Sequence, residues 1–326
     1  MREIYFSWAI REALAEEMER DERVFLLGED IAEYGGAFKV TEGLVQRFGK
    51  ERVRNTPISE NTIIGVAAGA AMCGMRPVAE IMFMDFITLA MDQIVNHAAK
   101  FHYIYGEEVT VPLTIRTPTG GGGRGYGPTH SQSLESWFIG VPGLKVVAPS
   151  TPHDAKGLLK SAIRDDNPVL FLEHKVLYGR RGPVPEEEYT VPLGKAAVTR
   201  EGEDISIIAY SRMAEEALIA AESLAEQGIS AEVVDLRTLL PLDMETVRAS
   251  VVKTGRVLLV EEGISIGGVA AEVGFRIFEE AFEYLDAPLK RLGAGFAPMP
   301  CAENLERQMV PLAADIEAAA LELLEA

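Results

Sequence analysis

Apolar residues along this chain follow two rhythms. Short unbroken apolar runs alternate with longer stretches of helical spacing. Residues 7–20 carry the helical rhythm, with Trp8, Ala9, Leu14 and Met18 toward one side. Residues 23–28 (RVFLLG) read as a buried strand. A helix is expected over 60–74, a strand over 77–83, a helix over 86–101 and a strand over 112–116. After a glycine loop come strand 144–148, helix 152–164 and strand 169–173. Short apolar strands separated by helices predict a parallel α/β sheet covered on both faces. Residues 179–194 break the rhythm with Pro183, Pro185, Pro192 and the run Glu186-Glu187-Glu188. The rhythm then restarts, with strands over 205–210, 231–236, 257–260 and 289–292 and helices over 213–227, 243–254, 268–284 and 311–324. The expected architecture is two doubly wound parallel-sheet domains, 1–180 and 196–326, joined by a linker over 181–195.

Composition narrows the class. A chain of 326 residues suits two domains. Its formal net charge of −19 speaks against nucleic acid or an anionic membrane as partner and suits a basic protein. No apolar run is long enough to span a bilayer. Cys73 and Cys301, the two cysteines, make neither a disulfide framework nor a zinc site. The amphipathic pattern begins directly after Met1-Arg2-Glu3, with no secretory signal pattern, so a cytoplasmic protein is expected.

The densest signal lies in Thr56-Pro57-Ile58-Ser59-Glu60 and the Ala- and Gly-rich helix behind it. Glu60 reads in two ways. A Glu in a first helical turn complements the helix dipole, worth about 0.3–1 kcal/mol. A bare helix, with Gly65 and Gly69 four apart, also admits close contact with another backbone and would leave the carboxyl between layers of protein, where chemistry is possible. Phe83, Asp85 and Phe86 follow a strand end, where ligands bind in open α/β sheets; an aromatic there stacks on a planar ring or simply fills core.

The glycine loop runs Gly120-Gly121-Gly122-Gly123-Arg124-Gly125 and leads to His130-Ser131-Gln132-Ser133. It satisfies G-x-G-x-x-G, but no helix starts at the third glycine and no acidic residue ends the next strand, so a nicotinamide-binding reading is weak. The loop reads either as a carrier of His130, whose side chain suits proton transfer near neutrality, or as a surface loop capped by Ser133. His97, His102, His153 and His174 form no metal-spaced pair. The helix over 152–164 ends in Asp165-Asp166-Asn167-Pro168, either a polar cap or a cradle for a monovalent cation.

Together these segments resemble the beta subunit of the thiamin-diphosphate-dependent dehydrogenase component of 2-oxo acid dehydrogenase complexes. The resemblance rests on GED (28–30), GGAFKVTEGL (35–44), NTPISE (55–60), GMRPVAEIMFMDF (74–86), DQIVNHAAK (92–100), HSQSLE (130–135), PGLKVVAPSTPHDAKGLLKSAIRDDNPV (142–169) and VEEG (260–263). It implies a pyrimidine-binding domain followed by a transketolase-like C-terminal domain. It further implies oxidative decarboxylation of a 2-oxo acid with acyl transfer to lipoamide. The EHKVLYG stretch (173–179) leans to pyruvate or acetoin over branched-chain substrates.

The family holds Mg2+ and the diphosphate through G-D-G, which this chain lacks. The resemblance therefore implies that an alpha subunit supplies that half of the site, in a tetramer of two alpha and two beta chains. Carried over, Glu60 matches the glutamate that hydrogen-bonds the aminopyrimidine nitrogen, Phe86 the aromatic packed on that ring, and Glu29 a cofactor-side acid. His130 matches the histidine facing the active-site channel. Leu113, Ala162, Ile163, Asp165 and Asn167 match a potassium site. Asp286 matches a position near the docking site of the dihydrolipoamide acyltransferase core. The remaining rival is a non-catalytic scaffold that only docks partners through its acidic second domain.

Overall fold

The structure, a computed structural model, describes residues 1–121 and 125–325. Its contacts divide the chain into two units. The first comprises Met1–Thr119 with Trp137–Leu193, and the second Gly120–Ser136 with Gly194–Ala326.

The first unit holds β1 (Arg2–Tyr5), α1 (Phe6–Arg20), β2 (Val24–Gly28), α2 (Leu44–Phe48), β3 (Val53–Asn55), α3 (Glu60–Met72) and β4 (Arg76–Glu80). It continues through α4 (Phe101–Ile104), β5 (Thr114–Thr119), β6 (Lys145–Val147), α5 (Pro152–Arg164), β7 (Val169–His174) and β8 (Arg181–Val184). Its sheet runs β6-β7-β5-β4-β2-β3, every pairing parallel. From β2 the chain winds to β3 on one side, then crosses to β4 on the other. The crevice outside the carboxyl ends of β2 and β4 is thus a topological switch point, where open α/β sheets bind ligands. β1 and β8 pair antiparallel apart from this sheet.

Local chemistry explains the best-defined elements. α5 opens with Pro152 in its first turn, and the Thr151 hydroxyl accepts the Asp154 N–H. Its buried face carries Lys156 and Lys160, whose ammonium groups bridge to Glu12 and Glu16 on α1. Arg164 pairs with Glu17 at 2.6 Å. Such a seam fixes the register of two helices, because a buried charge without its partner is costly.

The second unit holds β9 (Ala197–Arg200), β10 (Ile205–Ala209), α6 (Arg212–Glu226), β11 (Ala231–Asp235), β12 (Thr238–Leu240), α7 (Met244–Thr254), β13 (Val257–Ile264), α8 (Val269–Ala281), β14 (Lys290–Ala294), α9 (Glu303–Glu306) and α10 (Ala313–Leu324). The sheet order is β14-β13-β10-β11-β9, parallel but for β9. Among the described residues no helix is long and apolar enough to cross a membrane.

Contacts group residues 120–136 with the second unit and 181–193 with the first. The structure departs from the sequence expectations in the helix over 86–101 and at Trp8. The expected helix over 86–101 is a 3-10 stretch (Met84–Ala90), a π-type stretch (Asp92–Ala98) and the short α4. Trp8 is largely exposed, edge-on to Tyr5 at 5.0 Å. Gly122, Gly123 and Arg124, part of the G-x-G-x-x-G reading, lie outside the described residues.

Candidate active site

Three segments bring acids to the switch point of the first unit. Glu29 follows β2, Glu80 ends β4, and Glu60 opens α3. Glu60 is 6% exposed. Ser59 precedes it but its hydroxyl turns to Thr62, 2.8 Å away, without capping the helix. Burial, then the charges of Glu60, Asp30 and Glu80, pushes the Glu29 acid above its ordinary range. The charge of Glu60 thus acts on Glu29. Gly28 is required here, because a Cβ would meet the Glu80 carbonyl oxygen at 2.9 Å.

The bare helix is used on two sides. A side chain at Gly65 would touch Gln93 at 3.5 Å, whereas at Gly69 it would meet nothing within 4 Å. Val66 on α3 and Ile58 ahead of it stand exposed. Beside them lies a groove of about 700 Å3 lined by Phe25, Leu27, Thr62, Ile63, Ala70 and Met75, among others.

Phe86 lies in the 3-10 stretch that packs against α3. Its ring meets Phe83 edge-on at 6.0 Å. The aromatic contacts continue inward, from Phe83 to Phe38 at 5.8 Å and from Phe38 to Tyr178, stacked at 4.9 Å. The buried ammonium of Lys175 lies 5.2 Å from the Phe83 ring centre.

Sequence reasoning missed what supports this row. Arg116, on β5, is buried between two carboxylates. It donates to both oxygens of Glu173 at 2.6 and 2.7 Å and to Glu80 at 2.6 Å. The Tyr178 hydroxyl donates to Glu173 at 2.7 Å. The two carboxylates raise the Arg116 guanidinium despite its burial, so it stays charged. Burial raises Glu80 more than Arg116 lowers it. A signal existed: each of the three strands carries a charged residue on a segment that is buried along most of its length (Glu80 in RPVAE, Arg116 in TIRTPT, Glu173 in VLFLEH).

The other expected residues are placed as follows. His130 belongs to the second unit, its Nδ1 2.9 Å from the Thr129 hydroxyl. The end of α5 gathers Leu113, Ala162, Ile163, Asp165 and Asn167. Arg76 donates to the carbonyls of Ile163 at 3.0 Å and Asp165 at 3.1 Å. Asp165 donates to the Ala162 carbonyl, Val169 to that of Leu113, and Asn167 to the Asp165 carboxylate. Asp286 follows α8 in the second unit, with an exposed side chain 3.7 Å from Arg256. Among the described residues no group of three His, Cys, Asp or Glu is arranged to hold a metal.

The transketolase pyrimidine-binding domain matches residues 2–181, and the transketolase C-terminal domain matches residues 194–316. A solved structure, a split-gene transketolase described as an inactive beta4 tetramer, superposes with a TM-score of 0.81 at 26% identity, covering 99% of this chain and 98% of that one. The fold is therefore that of a transketolase-type pair of domains. The 2-oxoisovalerate dehydrogenase subunit beta of Bacillus subtilis is 51% identical over 97% of this chain and 97% of its own length. The pyruvate dehydrogenase E1 component subunit beta-1, mitochondrial, of Arabidopsis thaliana is 47% identical over 94% and 86%. The chain belongs to the family of beta subunits of thiamin-diphosphate-dependent 2-oxo acid dehydrogenases.

Proposed function

We propose that this chain is the beta subunit of a pyruvate dehydrogenase, active with an alpha subunit. In this reading it decarboxylates pyruvate oxidatively and passes the acetyl group to lipoamide of an acyltransferase core. The observation that carries the proposal is the buried Glu60 carboxyl at the head of α3, the helix against which the stretch carrying Phe86 packs.

These residues fit the pyrimidine end of thiamin diphosphate. Bound thiamin diphosphate supplies an electron sink for decarboxylation. Glu60 would present a carboxyl oxygen to the ring nitrogen and exchange a proton there. Burial of that carboxyl keeps water from competing for the bond. Glu29, which keeps its proton more readily than an ordinary carboxyl, would stand beside Glu60 without adding a full second charge. Phe86, edge-on to Phe83, offers a ring to pack on the pyrimidine. His130 would hold or accept a proton during acyl transfer. No G-D-G occurs in the chain, so the diphosphate and Mg2+ fall to the alpha subunit in this reading. The exposed Ile58 and Val66 and the groove beside α3 suit such a partner, in a tetramer of two alpha and two beta chains. The exposed acid of Asp286 would face a basic docking module of the acyltransferase.

The higher identity to a 2-oxoisovalerate dehydrogenase subunit favours a branched-chain substrate as second reading. Co-expression with the alpha subunit and steady-state assay on pyruvate, acetoin and 3-methyl-2-oxobutanoate decides between them. We expect kcat/KM for pyruvate to lead by about tenfold or more, equivalent to about 1.4 kcal/mol of transition-state binding. A lead for the branched acid overturns the pyruvate assignment.

Potassium is part of the proposal. A carbonyl oxygen has two lone pairs; that of Leu113 accepts the Val169 N–H, that of Ala162 the Asp165 N–H and that of Ile163 an Arg76 N–H. The second lone pairs, with Asp165 and Asn167, would hold a monovalent cation at the end of α5. Replacing sodium by potassium at equal ionic strength is expected to raise the unfolding midpoint of the complex by a few degrees, by mass action. No difference between the salts removes the site.

A further inference from the structure

The second unit has a switch point of its own. From β10 the chain winds to β11 on one side and later crosses to β13 on the other. Ligands in open α/β sheets bind outside such strand ends. Here the groups that point out of the crevice bind the polypeptide that carries His130.

Tyr210, the residue after β10, is nearly fully buried and donates its hydroxyl to Glu135 Oε1 at 2.8 Å. Glu262, on β13, accepts the Gly121 N–H at 2.7 Å. Glu306, fully buried on α9, accepts the Gly125 N–H at 3.2 Å. Each anchor is a charge-assisted or buried bond, the kind whose loss leaves an expensive unpaired group. Gly127, at φ +73°, adds a steric seat, since a side chain there would collide with the Cys301 sulfur. Ser211 next to Tyr210 takes φ +53°, an uncommon value for a non-glycine residue, in the turn that follows β10. Glu261 also approaches the same hydroxyl, its Oε2 3.5 Å from the Tyr210 oxygen. Burial lifts the acids of both Glu135 and Glu261 to about 7.

The anchors thus bracket His130, two on its N-terminal side and one five residues beyond it. We infer that Tyr210, Glu262 and Glu306 are positioning residues for His130, and that the second domain's switch-point crevice holds the segment delivering this side chain. The inference rests on the reading of His130 as a proton-handling group in acyl transfer. It gives the second domain a part in the chemistry.

The test uses the assembled complex with its alpha subunit. Tyr210→Phe deletes one hydroxyl and keeps the ring. We expect amide exchange over residues 125–135 to accelerate about tenfold or more, with exchange in α6 unchanged. We expect kcat for acyl transfer to fall about tenfold while KM for the 2-oxo acid stays within about twofold. In the double variant with His130→Ala the loss should not exceed that of His130→Ala alone, since a positioning residue acts through the group it positions. Glu262→Gln, which keeps an acceptor oxygen for Gly121, should show a smaller change in both readouts. Unchanged exchange in Tyr210→Phe, or losses that multiply in the double variant, overturns the inference even if the complex is fully active. Full activity of His130→Ala with accelerated exchange overturns it from the other side, by removing the functional reading of His130.

Discussion

Glu60→Gln in the reconstituted complex is expected to lower turnover at least about a hundredfold, with the assembly intact by size-exclusion chromatography. The substitution keeps the shape of the side chain and its place at the head of α3, where the residue is 6% exposed. What it removes is the ability to exchange a proton. Loss of a general acid–base group costs about 10²–10⁴-fold. The competing account, a carboxylate that only complements the helix dipole, is worth about 0.3–1 kcal/mol and would leave turnover of the folded complex nearly untouched. The two accounts differ by more than an order of magnitude in the measured rate. Near-normal turnover of Glu60→Gln would return the residue to the dipole reading and favour a docking scaffold. Binding of thiamin diphosphate, measured by calorimetry on the same variant, separates a lost proton from a lost cofactor.

Much of this was legible because the relevant physics is local. α5 was readable to the residue, since a proline in its first turn, a threonine cap and a terminal Asp-Asp-Asn-Pro all act within a few positions. The parallel strands were readable as apolar runs because both faces of such a sheet are buried. The helix expected over 86–101 failed for a physical reason. Ile87, Ala90, Ile94 and Ala98 are buried at helical intervals, so the apolar face survives the change from 3-10 to π-type winding. Periodicity reports which side is buried, not which carbonyl each N–H meets. β8 was hidden inside the proline-rich stretch; as half of a two-stranded pair it tolerates Pro183.

The site divides along the same line. Glu60 and Phe86 stand at element ends that motifs and strand-end logic single out. The acids and aromatics behind them meet only in three dimensions. Arg116 and Glu173 are 57 positions apart, and Arg116 and Glu80 are 36 apart. Each was visible as a charge within a strand, but nothing along the chain says which charge pairs with which. The glycine loop shows the limit again: its composition marks a loop, while the bonds of Gly121 to Glu262, Gly125 to Glu306 and Glu135 to Tyr210 join residues far apart in the chain.

The buried triad carries the largest expected effect on stability. Arg116→Met should destabilise the first unit by about 3–5 kcal/mol, because it strands Glu80 and Glu173 among apolar strands without a counter-charge. For a domain of this size the unfolding midpoint should fall by about 6 °C or more. The effect should depend on pH with a defined sign. Burial holds the Glu80 acid above its ordinary value of 4.5 even with Arg116 present. Without the guanidinium, Glu80 must hold its proton more tightly still in the folded state. The folded chain then binds more protons than the unfolded one as pH rises from about 4.5, so stability falls with rising pH. Thermal unfolding of the variant and the parent at pH 5 and pH 8 should show the larger deficit at pH 8. A deficit that is small or independent of pH would mean that the triad is not closed as described. Replacing all three charges together, Glu80→Leu with Arg116→Met and Glu173→Leu, removes the stranded carboxylates and should recover most of the stability. It should not recover cofactor affinity: Glu80 touches Gly28 and raises the Glu29 acid beside Glu60, and Glu173 holds the tyrosine on which Phe38 stacks, behind Phe83 and Phe86. A stable triple variant that binds thiamin diphosphate normally would confine the triad to folding. A stable one that binds it weakly makes the triad the support on which the pyrimidine site is built.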